Sequence, residues 1–280
     1  MSKRVLITGA SGGFGTAARA LLEARGDRVA GIDLHAGDGV VGCDITDGDA
    51  VADAVQEAAG LLGGGIDVLV NNAGLGTSSE VGGGLESEDR AVLEVNLCGS
   101  WNVTAAALPY LLESRGQVVN VASLLAVVTF PRTGAYTASK RALTGLSDVL
   151  RAEHGGELAV TTVYPGYSPT AIHDAPEQRS GLNLRDAGIP AETPEQVAKA
   201  IVRAIDRRPR DQATSLTGEF VLRAARHLPR TVDFFVGRKA GAMLQAAGPG
   251  ADHSTPKSDS APSISSASKA PAGPSAPVRS

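Results

Sequence analysis

Aromatic side chains are scarce in this sequence: one Trp, four Tyr and five Phe among 280 residues. A hydrophobic core must therefore be filled by Val, Leu, Ile and Ala, which the 42% apolar content can supply. Cysteine is rarer still, with only Cys43 and Cys98. Neither stands in a metal-binding or redox spacing, so a reduced, intracellular protein is expected, with one disulfide between the two left open at this level. The five histidines form no His-x-His or His-Glu-x-x-His pair, and no metal site is expected. A basic excess is also missing. The formal net charge of −4 speaks against a nucleic-acid partner. No apolar run reaches the length of a membrane span or of a signal peptide core, which makes a cytoplasmic location the expectation.

What the chain has is a repeated order of β-branched runs and helical stretches. The run "RVLIT" at Arg4–Thr8 reads as a buried strand, followed by a glycine-rich turn and a helix "GTAARALLEARG" stopped by Gly26. Further strands are expected at "RVAGID", "IDVLVNNAG", "GQVVNVAS" and "LAVTTVYPG". Strand alternating with helix predicts an α/β protein: a Rossmann-type doubly wound parallel sheet in three αβα layers, with ligands outside the carboxyl ends of the strands. The polar and glycine-rich residues fall at those ends.

Thr193 starts another helix, with Pro194 in its first turn and Gln196 completing a capping box. Residues 1–247 read as one domain with a helical extension from about 212. In that extension Phe220, Val221, Ala224 and Leu228 are predicted to share one face, and Arg223, Arg226 and Arg230 another. Thr231 is expected to cap a second helix with the stripe Val232, Phe235, Val236, Ala240, Met243 and Leu244. Such basic amphipathic helices suit either packing against the sheet or a partner subunit, or an anionic membrane surface, and the acidic net charge favours packing. From Gly248 the composition collapses to Ser, Pro, Ala and Gly, so 248–280 reads as a disordered tail.

The turn "TGASGGFG" lies directly after the first strand. Its glycines let the backbone approach a pyrophosphate, and the helix behind it offers unpaired N–H groups. A tight turn with no ligand is the plain alternative. Asp33 closes the second strand, where a carboxylate accepts from adenosine ribose hydroxyls and repels a 2′-phosphate. With no Lys or Arg beside it, NAD is favoured over NADP. In "GAYTASKRALTG" the phenol of Tyr136 and the amine of Lys140 are four residues apart, hence one turn apart on one helical face. They either meet water or a reacting group.

These motifs, in this order over roughly residues 4–210, resemble the short-chain dehydrogenase/reductase family. Thr8, Gly9, Gly13 and Gly15 match its T-G-x-x-x-G-x-G turn, in which Ser11 and Phe14 also lie; "CDIT" supplies Asp44 and the backbone of Ile45 for the adenine. "NNAG" supplies Asn72, Ala73 and Gly74 beside the adenosine ribose. "PGYSPT" places Pro165, Gly166, Ser168 and Thr170 near the nicotinamide. The resemblance implies a catalytic tetrad of Asn96, Ser123, Tyr136 and Lys140. Tyr136 would exchange the proton, Ser123 would polarise the substrate oxygen, and Asn96 would hold a water that links Lys140 to solvent. Lys140 would also hold the nicotinamide ribose.

An ammonium about 4 Å from the phenol is worth about 4 kcal/mol at an effective dielectric near 20, or about three pKa units before desolvation is subtracted. Lys140, together with the positive nicotinamide, is therefore expected to favour the Tyr136 phenolate and lower its pKa. The implied function is NAD(H)-dependent interconversion of a secondary alcohol and a ketone or aldehyde, with an apolar small molecule as substrate and a homo-oligomer as the assembly. An NADPH-dependent reductase is the nearest alternative, and a non-catalytic NAD-binding regulator would show a broken tetrad. Residues 167–190, with Tyr167, Ile172, Leu182, Leu184 and Ile189, are expected to set the substrate and to close over it. Two departures stand out. The link from Asp33 to Asp44 is too short for a helix, and the Gly-Asp-Gly ending common in tetrameric members is missing.

Overall fold

The computed structural model describes residues 2–168 and 191–247. Strand β1 (Arg4–Thr8) pairs in parallel with β2 (Arg28–Asp33) on one side and with β4 (Val68–Asn71) on the other. With β3 (Val40–Gly42), β5 (Gln117–Val121), β6 (Ala159–Tyr164) and β7 (Asp211–Ala213) they form a seven-stranded parallel sheet in the order β3-β2-β1-β4-β5-β6-β7. The strand order reverses between β1 and β4, which opens a crevice at the carboxyl ends of those strands.

Helix α1 (Gly13–Ala24) and helix α6 (Pro194–Arg207) cover one face of the sheet. Helices α2 (Gly48–Leu61), α4 (Ser100–Glu113) and α5 (Gly134–Glu153) cover the other. Successive strand residues point to opposite faces. Accordingly Val5 and Ile7 meet Leu22, Ile201 and Ile205 in the first layer, while Leu6 belongs to the second with Val55 and Leu111. Both faces being covered explains why the strands read as unbroken apolar runs. Asp47 caps α2 by accepting from Asp49 and Ala50 N–H. The capping box on α6 forms as read: Thr193 N–H donates to Gln196 at 2.8 Å and Gln196 N–H to Thr193 at 3.3 Å. No helix separates β2 from β3, in keeping with the short link.

A short helix α3 (Ser87–Leu93) continues through a π-helical turn, Glu94–Gly99, into α4. The sequence gives no periodic signal for this wide turn, nor for the three-residue edge strand β7, which reads Asp-Gln-Ala and is held by its pairing with Thr162, Val163 and Tyr164.

The carboxyl-terminal helices need two corrections. Helix α7 (Leu216–His227) buries Leu222 against Ala122, Ala126 and Tyr164; of the expected face Val221 and Ala224 are partly buried, but Phe220 is 73% and Leu228 59% exposed. The cause is an anchor. Arg226 donates to both oxygens of Asp211 and to the Tyr164 hydroxyl, which turns Leu222, four residues earlier, onto the sheet. Helix α8 (Pro229–Ala247) begins at Pro229, so Thr231 lies inside its first turn instead of capping it. Proline has its φ preset for that first position. Of the expected stripe, Ala240 is buried, Val232 and Val236 are partly buried, and Phe235 is exposed. The side chains of Met243 and Leu244 and the whole of 248–280 lie outside the described residues. Among the described residues no helix is long and apolar enough to cross a membrane.

Candidate functional site

The glycine turn is shaped so that side chains cannot enter it. Gly9 has φ +64°, and a Cβ there would sit 2.8 Å from the Ala73 Cα. A Cβ on Gly15 would come within 2.1 Å of the Gly9 carbonyl oxygen. Gly12 stands at the N-cap of α1 with no side chain to cap it, so the first-turn N–H groups around Gly13 and Phe14 face the crevice with the positive end of the helix dipole. Strand β4 is tied to this turn. The Thr8 hydroxyl accepts from Asn72 and Ala73 N–H at 3.0 Å each, and the Asn72 amide donates to the Thr8 and Gly9 carbonyls. The Asn72 Oδ1 is buried without a partner.

Asp33 ends β2 with its carboxylate accepting from Ser11 N–H and Leu34 N–H, both at 2.8 Å. It thus braces the glycine turn while remaining open to further donors. Asp44 is exposed and accepts from the Thr46 N–H and hydroxyl through one oxygen. The Ile45 side chain is buried beneath Gly99, leaving only its backbone for a ligand. A cradle that any Cβ would fill, an orphaned amide oxygen and a carboxylate at the end of β2 together fit a dinucleotide.

Beyond the turn lies a cleft with about 420 Å³ of open space, lined by Phe14, Asn72, Gly74, Ser123, Tyr136 and Lys140 among others. Four separate elements bring these groups together. Helix α5 carries Tyr136 and Lys140 on one face, with the lysine Nζ 5.9 Å from the phenol ring centre. Lys140 is buried and donates to the Val121 carbonyl at 3.0 Å. Burial pulls its pKa from 10.5 to about 8, since an ammonium out of water is disfavoured. Ser123, at the end of β5, accepts from Leu125 N–H at 3.1 Å and hydrogen-bonds the Tyr136 phenol.

The expected downward shift of Tyr136 does not appear in the protein alone. Burial raises the phenol pKa, and the Ser123 hydrogen bond offsets only part of that. Desolvation of the phenolate outweighs the pull of a lysine whose own charge is disfavoured by burial.

Asn96 sits in the π-helical turn, fully buried. Its Oδ1 accepts from Leu75 N–H at 2.7 Å, and its amide donates to the Leu75 carbonyl and the Ser139 hydroxyl, each at 3.0 Å. The side chain thereby fastens the segment after β4 to α5, beside Lys140. A Cβ on Gly74 would lie 3.1 Å from Asn96 Oδ1 and 3.3 Å from Lys140 Nζ, so glycine lets this cluster close.

Pro165 and Gly166 line the cleft. Ser168 does not: it is 1% exposed and its hydroxyl donates to the Glu192 carbonyl at 2.7 Å. Its contribution is to hold the chain after β6. Tyr167 is buried, and Thr170, Ile172, Leu182, Leu184 and Ile189, with the expected closing segment, lie outside the described residues. Two participants carry no sequence signal. Leu75 enters the cleft wall from an irregular segment, and Glu192 reaches the Gly166 N–H at 2.9 Å from 26 residues away.

Comparison with known proteins decides what this arrangement belongs to. The family model for short chain dehydrogenase matches residues 3–180. The chain belongs to the short-chain dehydrogenase/reductase family. It is 35% identical over 228 residues to the 2-(R)-hydroxypropyl-CoM dehydrogenase of Xanthobacter autotrophicus, covering 72% of this chain and 90% of that protein. It spans about half the length of several other curated relatives it matches. Its fold is similar to a short-chain dehydrogenase from Burkholderia cenocepacia solved with NADP (TM-score 0.71, 26% identity, 84% of this chain and 98% of that one). It is also similar to a 3-ketoacyl-(acyl-carrier-protein) reductase from Brucella melitensis complexed with NADH (TM-score 0.65, 26% identity, 72% and 90%). The chain therefore belongs to a family of oxidoreductases, and solved structures similar to it include ones with NADP and with NADH.

Proposed function

We propose that this dehydrogenase interconverts a secondary alcohol and a ketone or aldehyde with NAD(H). The observation that carries the reading is the meeting of Tyr136, Lys140 and Ser123 in one cleft beside the glycine turn. The dinucleotide, when bound, supplies or accepts the hydride. Gly9, Gly13, Phe14 and Gly15 would hold its pyrophosphate, and Asp33, Asp44, Ile45, Asn72, Ala73 and Gly74 its adenosine half. Tyr136 gives its phenolic proton to a ketone oxygen, or takes the hydroxyl proton of an alcohol. The Ser123 hydroxyl, already in contact with the phenol, donates to the same substrate oxygen. Lys140, with a pKa of about 8, is mostly protonated at neutral pH and favours the phenolate electrostatically once the cleft is filled. Asn96 holds Leu75 and α5 in place and would carry the water that leads from Lys140 toward solvent. Leu75 on the cleft wall favours an apolar substrate.

The choice of NAD rests on Asp33, whose carboxylate stands where a 2′-phosphate would be repelled. The assembly is proposed to be a homo-oligomer, which light scattering would test. A panel of secondary alcohols and ketones, assayed with both dinucleotides, tests the function. Tyr136→Phe should reduce turnover by at least about 10²-fold while keeping dinucleotide affinity. A Tyr136→Phe enzyme that turns over near the native rate would reject the mechanism.

A further inference from the structure

Glu192 is 7% exposed and lies two residues ahead of α6, outside every motif of the sequence. Its carboxylate accepts three hydrogen bonds: from Gly166 N–H at 2.9 Å, from the Ser215 hydroxyl at 2.9 Å and from the Thr214 hydroxyl. Its main chain forms two more, N–H to the Tyr167 carbonyl at 2.8 Å and carbonyl from the Ser168 hydroxyl at 2.7 Å. The fit around Gly166 is close, since a Cβ there would stand 2.9 Å from Glu192 Oε1. One residue thus joins the end of β6, the start of α6 and the cap of α7.

The peptide between Pro165 and Gly166 is held at both poles. Its carbonyl accepts from Leu124 N–H at 2.8 Å, and its N–H donates to Glu192. Both residues line the cleft, and Leu124 directly follows Ser123. Glycine has the widest backbone freedom of any residue, so a Pro-Gly wall cannot fix its own plane. An outside group must do so. The donors on Glu192 are an amide and two hydroxyls, all neutral, and burying a carboxylate among them is costly unless each bond is made.

We propose that Glu192 is a positioning residue for the cleft: it sets the plane of the Pro165–Gly166 peptide and, through Leu124, the place of Ser123. This rests on the reading of the cleft as a dinucleotide and substrate site.

The test compares Glu192→Ala, Glu192→Gln and Ser215→Ala in the full chain. Melting temperature, NADH affinity by fluorescence titration, and steady-state rates are measured for each. Glu192→Ala should weaken NADH binding by about tenfold, the size of one lost hydrogen bond. It should also lower kcat by about 10²-fold, as expected when a reacting group is displaced by about 1 Å. Glu192→Gln keeps an oxygen able to accept from Gly166 and should restore most of both. Ser215→Ala removes a bond to the other carboxylate oxygen, Oε1, which does not hold the Gly166 N–H, so it should lower the melting temperature while leaving NADH affinity and kcat near native. Native affinity and kcat in Glu192→Ala with a lowered melting temperature would reduce Glu192 to a structural brace and overturn the proposal. A Glu192→Gln enzyme that recovers neither affinity nor kcat over Glu192→Ala would overturn it as well. Wild-type protein that binds no dinucleotide would instead strike the function itself, a separate result read before any variant is made.

Discussion

The Lys140 ammonium donates to the Val121 carbonyl across 3.0 Å, at the very end of β5. One carbonyl is a poor substitute for bulk water, and burial takes this lysine from 10.5 down to about 8. Between those two values the unfolded chain holds more protons than the folded one, so the contribution of Lys140 to stability rises with pH across that window. Lys140→Met should therefore be inactive yet more thermally stable than wild type below pH 8, the folded-state value of the lysine. Its advantage should shrink as pH climbs toward 10.5. Paired thermal melts over that range check the sign; a difference independent of pH would contradict the buried ammonium.

Asp33 has two separable duties, bracing Ser11 and Leu34 N–H groups and presenting negative charge at the end of β2. Asp33→Asn removes the charge and keeps one of the two acceptors that hold Ser11 and Leu34. It should shrink the preference for NAD over NADP by at least about tenfold, because a like-charge clash is worth several kcal/mol. Asp33→Ala should relax the preference as well, with a further loss of kcat/KM for both dinucleotides as the turn loosens. The measurement is kcat/KM with each dinucleotide, and a wild-type preference for NADP would sink the assignment.

Gly15 cannot take a side chain, since its Cβ would lie 2.1 Å from the Gly9 oxygen, a main-chain atom that cannot swing away. Gly15→Ala should cost about 1–3 kcal/mol of stability and displace the glycine turn. Loss of NADH binding would accompany a lowered melting temperature. Gly82→Ala is the control, because nothing lies within 4 Å of a Cβ there.

The corrected register of α7 separates two substitutions that look alike in sequence. Leu222 is 3% exposed and packs on Ala122, Ala126 and Tyr164, so Leu222→Ala should cost about 2–5 kcal/mol. Phe220, 73% exposed, should change stability by less than about 0.5 kcal/mol when replaced by alanine. Denaturant titration of both variants decides, and the reverse ranking would restore the face expected from periodicity.

Why some of this was legible in sequence and some was not follows from the range of the interactions. The buried parallel strands announce themselves because both faces are covered, and the glycine turn because its geometry forbids Cβ atoms. Thr193 and Gln196 announce a helix start because a capping box is local. Tyr136 and Lys140 are legible because a helix fixes the relation of i to i+4. By contrast, Leu222 faces inward because of Arg226 and Asp211, whose pairing bridges 15 residues. The withdrawal of Ser168 from the cleft depends on Glu192, 24 residues away. The Tyr136 pKa depends on how completely burial removes water, which no local spacing records.

The π-helical turn at Glu94–Gly99 has a bearing on how this chain tolerates length changes. Such a turn takes one residue more than an α-helical path between the same ends. A single deletion inside it would regularise the rod running from α3 to α4, where a deletion elsewhere in a helix only breaks its phase. Regularisation would keep α3 and α4 in phase with one another, because the turn spans the same ends, and its effect would fall on the residues inside the turn. The Asn96 carboxamide, which lies inside the turn, would then leave Leu75 and Ser139, while the buried stripe of α4 that carries Val103, Ala107 and Leu111 would stay on the sheet. The extra residue is thus a local aiming device: it turns Asn96 toward Leu75 and Ser139 without altering the frame in which the rest of the rod serves the core.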